Sequence, residues 1–162
     1  MLADTITGPA AVAAERLVAR GQTLAVAESS AGGLISAAML AVPGASAYYR
    51  GGVVTYTHEG TRAMLADATD LDPGDRGACE PFARFLAVAV RSKLAADWAV
   101  SETGASGPKG NRYGDPAGHA WVAVAGADGV RTQHVLTGDD DRAANMERFA
   151  ARALEALAAA LG

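Results

Sequence analysis

At 162 residues, half of them apolar and a fifth charged, the chain has the length and composition of one globular domain that buries a core without disulfides or a structural metal. A formal net charge of −4 without long Lys or Arg runs excludes the basic footprint of a nucleic-acid or anionic-membrane binder, but not a small anion held by backbone amides. The single Cys79 excludes a disulfide framework, and neither a secretory signal nor a membrane-length apolar run is present, so the cytoplasm is the expected compartment.

Residues 9–20 predict a helix, with Pro9 in its first turn, Ala10, Ala13, Ala14 and Leu17 on one face, and Gly21 as its C-terminal cap. TLAVAE (23–28) reads as a buried strand and GLISAAMLAV (33–42) as a helix ended by Pro43 and Gly44. GGVVTYT (51–57) predicts a strand, and a short helical piece around Met64 and Leu65 follows. After the turn-rich stretch 67–78, Cys79 starts a helix whose buried stripe is Phe82, Phe85, Leu86, Ala89 and Val90. DWAVSETG (97–104) is a strand entering the glycine-rich segment 103–118, long enough to be a functional loop. HAWVAVAG and VRTQHVL flank ADG as a hairpin, and a last helix begins at about Arg142 with Met146, Phe149, Ala150, Ala153, Leu157 and Leu161 at helical spacing. Helices alternating with strands, then a late hairpin, predict a single α/β domain over 1–162: three layers, α/β/α, around a mixed, mostly parallel sheet.

The stretch Glu28-Ser29-Ser30-Ala31-Gly32-Gly33 joins a strand to a helix. Two readings of it stand. A serine beside free amides outlines a nucleophile and an oxyanion hole. Equally, one serine caps the helix and the glycines allow tight packing. The pattern is neither a P-loop nor a nucleophile elbow. His58, His119 and His134 lack metal-ligand spacing, so a metal site is not expected. If the strand ending at Thr103 lies parallel to 23–28, its loop and this turn face one crevice.

In order, Glu28–Gly33, VPGASAYYRGGVVTYTHE, TGASGP, Pro116-Ala117-Gly118 and GDDDRAANMER resemble the CinA C-terminal domain family, whose active members are nicotinamide mononucleotide deamidases. The resemblance runs over nearly the whole chain. It implies a stand-alone copy of the domain that hydrolyses the carboxamide of a small-molecule pyridine nucleotide with no cofactor and no metal, and it is compatible with a homodimer. It also implies Ser29, after Glu28, as nucleophile. The expected substrate contacts are Glu28, Ser30, Gly32, Gly33, Tyr56, Thr103, Gly104, Gly107 and Arg142, with the Gly32 and Gly33 amides stabilising the oxyanion or binding phosphate.

The family's Tyr-Ser-Asn-Glu-Ala-Lys run reads Tyr56-Thr57-His58-Glu59-Gly60-Thr61 here, so Thr61 stands where the proton-accepting lysine is expected. A threonine hydroxyl is no base near neutral pH, and neither is Arg62. The family's Cys-Thr after the serine is Ser30-Ala31, and Met146 stands at an arginine position. General base catalysis contributes about 10²- to 10⁴-fold, so weak or altered turnover is one expectation. His58 is then the substitute base, with Lys109 second. A catalytically inactive relative that binds a pyridine nucleotide or a partner is the alternative, and a domain without ligand is the third.

Overall fold

Strand β1 (Leu24–Glu28) is buried at all five residues, because it lies inside a sheet covered on both faces. The computed structural model describes residues 1–162. Its other strands are β2 (Tyr49–Val54), β3 (Trp98–Ala105), β4 (His119–Gly126) and β5 (Gly129–Leu136), in the spatial order β2-β1-β3-β4-β5. β1 pairs in parallel with β2 and with β3, whereas β3–β4 and β4–β5 are antiparallel. The sheet is therefore mixed, and only β4 opposes the common strand direction.

Alternation along the strands builds two unequal cores. Val26, Val100, Val122 and Val124 face helices α1 (Asp4–Arg20), α2 (Leu34–Ala41) and α5 (Arg142–Leu161), where they meet Leu17, Ile35, Phe149, Leu154 and Leu157. Ala25, Ala27, Ala99, Ala123 and Ala125 face α4 (Glu80–Lys93) and the end of α3 (His58–Leu65). Small strand residues on that side leave room for Phe82 and Phe85 beneath α4. The result is the three-layer α/β/α arrangement expected from the alternation of elements.

Several boundaries differ from expectation. Helix α1 starts at Asp4, so Pro9 lies inside it rather than in its first turn. Burial of Ile6 in the core favours the earlier start, offsetting the hydrogen bond that Pro9 does not donate. Gly21 caps α1 in the left-handed region (φ 61°), as predicted. Strand β2 ends at Val54 instead of Thr57, because Thr57 caps α3, its hydroxyl accepting from Gly60 N at 3.0 Å. The predicted α4 stripe is buried throughout. Cys79 sits at the N-cap of α4, its thiol donating to the Arg76 carbonyl. No helix is long and apolar enough to cross a membrane.

Candidate functional site

β1, β2 and β3 run in one direction, so their carboxyl ends share one edge of the sheet, the position where open α/β sheets hold ligands. The turn after β1 is built on two carboxylates. Glu28 is fully buried, and its carboxylate accepts from the amides of Gly33 (2.9 Å), Ile35 (3.0 Å) and Ser36 (2.8 Å) and from the Ser36 hydroxyl (2.7 Å). The positive end of α2 is thus filled by the protein's own anion.

This corrects three expectations. Glu28 is a cap for α2 and not a substrate contact, since both carboxylate oxygens are engaged inside the protein. No serine caps the helix: Gly33 holds the N-cap position at φ 100° and Glu28 supplies the acceptor. The Gly33 amide is therefore occupied, and the Gly32 amide donates to the Ser29 carbonyl at 3.1 Å, which leaves neither for an oxyanion or a phosphate. Gly32 is favoured by its backbone, at φ 68° in the left-handed region, whereas the terminal methyl of Met146, 2.8 Å from an added Cβ, is a flexible end that can shift.

Glu102, on β3, supports the turn from below. It is fully buried and accepts from the amides of Ala31 (2.8 Å) and Ser29 (3.2 Å) and from the Ser30 hydroxyl. Burial pushes its carboxyl up to about 7 against the lowering effect of those three bonds, and the charge of nearby Glu28 pushes the same way. Ser30 is correspondingly buried with its hydroxyl turned toward Glu102, so that hydroxyl is not free to meet a substrate and only its amide is. What remains in the turn is the Ser29 hydroxyl, which bonds no protein atom, and the Ser30 amide, the one N–H of residues 29–33 without a protein acceptor.

Beside Ser29 opens a cleft of about 400 Å³. Its wall contains Ser29, Tyr56, His58, Thr61, Thr103 and Gly104 of the residues singled out in the sequence, joined by Thr55, Phe82 and the loop residues Asn111, Arg112 and Tyr113. Glu28, Ser30, Gly32, Gly33, Gly107 and Arg142 stand outside that wall. Arg142 instead acts as a brace, its guanidinium donating to the Gly107 carbonyl (2.7 Å) and to the Tyr56 hydroxyl (2.9 Å). Lys109 is exposed and lies outside the wall.

Thr61 is buried in the wall, and its hydroxyl donates to the Thr57 carbonyl at 3.0 Å within its own helix. Thr103 accepts from the Ala78 amide at 3.2 Å, fastening the 67–78 connection over the cleft. His58, at the start of α3, packs its ring against Phe82 at 5.6 Å and places Nε2 3.1 Å from the Tyr113 hydroxyl. His119 and His134, separate in sequence, meet across β4 and β5 at 2.9 Å, and His119 Nε2 donates to the Ala78 carbonyl. That pair ties the hairpin to the rim of the cleft and contributes no residue to its wall.

Sequence reading passed over Glu102, Thr55 and Tyr113. A lone charged residue in the otherwise uncharged run AVSETG is a legible signal for Glu102, and the aromatic ring among loop glycines is one for Tyr113. Thr55 carries no such mark. Its hydroxyl is buried without a partner, a fact of packing alone.

The match to known proteins covers nearly the whole chain. The family model of the CinA C-terminal domain matches residues 7–161. A CinA-like protein of Gloeobacter violaceus is 42% identical over 130 residues, covering 80% of this chain, and one from Anaeromyxobacter dehalogenans is 38% identical over 144 residues, covering 88%. The aligned part spans only 30% and 35% of those two relatives, respectively. Among solved structures, a CinA superfamily protein of Klebsiella pneumoniae (29% identity, TM-score 0.88) covers 96% of this chain and 97% of its own. A competence/damage-inducible protein of Agrobacterium tumefaciens (29% identity, TM-score 0.88) covers 99% and 98%. With the family model matched over residues 7–161 and relatives 42% and 38% identical across 80% and 88% of its length, the chain belongs to the CinA C-terminal domain family.

Proposed function

We propose that the chain is a serine-dependent amidohydrolase acting on nicotinamide mononucleotide or a related pyridine nucleotide. The observation that carries this reading is one cleft wall shared by the unpartnered Ser29 hydroxyl and the His58 imidazole. Ser29 Oγ attacks the carboxamide carbon while His58 takes its proton; collapse of the tetrahedral species expels ammonia, which carries that proton away. Water then hydrolyses the acyl-enzyme, giving nicotinate mononucleotide and restoring Ser29. The free Ser30 amide is the donor available to the oxyanion. Phe82 offers an apolar face to the pyridine ring, Tyr56 and Thr103 offer hydroxyls, and Arg112 offers a cation to the phosphate. Ser29→Ala is expected to reduce ammonia release from nicotinamide mononucleotide to background in a folded protein; undiminished release sinks the reading.

One observation favours a second reading, a nucleotide-binding module without turnover. The position that carries lysine in the family holds Thr61, whose hydroxyl is already committed to Thr57. This reading expects nicotinamide mononucleotide to raise the melting temperature of the wild-type protein while no nicotinate mononucleotide accumulates. Because Thr61 lies in the wall, Thr61→Lys delivers an amine to the cleft. Turnover in that variant and not in the wild type supports binding without a base; wild-type turnover lost in Ser29→Ala supports hydrolysis.

A further inference from the structure

We propose that Tyr113 is a positioning residue that holds His58 as its Nε2–H tautomer, so that Nδ1 is the nitrogen that accepts the Ser29 proton. The role given to Nδ1 rests on the hydrolytic reading above, whereas the tautomer does not.

Three polar groups surround the Tyr113 phenolic oxygen: His58 Nε2 at 3.1 Å, the Arg112 guanidinium at 2.9 Å and the backbone carbonyl of Asp75 at 3.1 Å. A phenol has one proton to donate and lone pairs with which to accept, a guanidinium only donates, and a carbonyl only accepts. If the phenolic proton goes to Asp75 and Arg112 donates to the oxygen, the contact with His58 contains a hydrogen only when Nε2 carries it. The opposite choice, phenol to Nε2, leaves two oxygens 3.1 Å apart with no hydrogen between them. Only the first assignment places one hydrogen in each contact.

A neutral imidazole protonated on Nε2 keeps its lone pair on Nδ1. No protein atom bonds Nδ1, and the ring lies in the wall that contains Ser29. One ring nitrogen is thus tied to a fixed partner while the other is free to work, the arrangement by which a carboxylate orients the imidazole of a hydrolase triad. Here a neutral phenol takes the carboxylate's place. The phenol is itself held: the guanidiniums of Arg76 and Arg112 stack on its ring at 5.5 and 5.0 Å, and the Tyr113 amide donates to the Asn111 side chain at 3.0 Å.

The test is two-bond ¹H–¹⁵N correlation spectroscopy of the histidine-labelled protein at mildly alkaline pH, with His58→Gln identifying the His58 signal among the chain's 3 histidines. The expected wild-type pattern is a protonated Nε2 and an unprotonated Nδ1. Tyr113→Phe, which keeps the ring, is expected to give an averaged mixture of tautomers and to lower kcat for nicotinamide mononucleotide about tenfold with KM little changed. His58→Gln lowers kcat by about a hundredfold or more. A wild-type His58 protonated on Nδ1, or a Tyr113→Phe variant that retains the Nε2–H form, overturns the proposal. A wild-type protein that does not hydrolyse nicotinamide mononucleotide defeats the hydrolytic reading, and the spectra still decide the tautomer.

Discussion

Glu102 carries the clearest pH dependence in the molecule. Its carboxyl sits at about 7 in the folded state, above an ordinary value of 4.5, because burial disfavours its charge. The folded protein therefore holds this proton more tightly than the unfolded chain does. The stability it confers is complete below pH 4.5 and is lost as pH rises through 7, on the order of 3 kcal/mol over that window. Glu102→Gln is expected to remove most of this fall, which urea midpoints measured from acidic to mildly alkaline pH will read; a variant that keeps the wild-type slope refutes the assignment. The site at this scale was only half legible in sequence. Ser29 stands out as a candidate because a hydroxyl after a strand and before glycines is a local pattern, whereas Glu102 acts on its amide from 73 residues away.

At the scale of elements, the strand-turn-helix unit depends on Glu28. Helix α2 has only 8 residues and no basic residue in its last turn, so its stability comes from packing and from the carboxylate at its start. Glu28→Ala strips the shared acceptor from three amides and one hydroxyl, and is expected to cost about 3 kcal/mol or more, read as a lower urea midpoint. A loss below about 1 kcal/mol contradicts the capping role. The elements themselves were readable: α4, the β4–β5 hairpin and α5 follow from periodicity and turn residues. The boundaries that moved, at Asp4 and at Val54, are places where a tertiary contact or a cap outweighed local propensity.

Across the whole molecule, parallel pairing of β1 with β3 brings the turn after Glu28 and the loop after Ala105 to one edge. The connection through Ala78 and the 106–118 loop then close the cleft from its far side. The sequence by itself determined the kinds of element, the two-sided burial of β1 and the family, because these depend on residue type, short-range spacing and ordered motifs. Only the tertiary structure decided which of the turn's amides are occupied, that Arg142 braces Tyr56, and that Glu102 and Tyr113 stand behind Ser29 and His58. The reason is that a hydrogen bond consumes its donor. Whether an amide or a ring nitrogen is free depends on partners tens of residues away, which spacing along the chain does not encode.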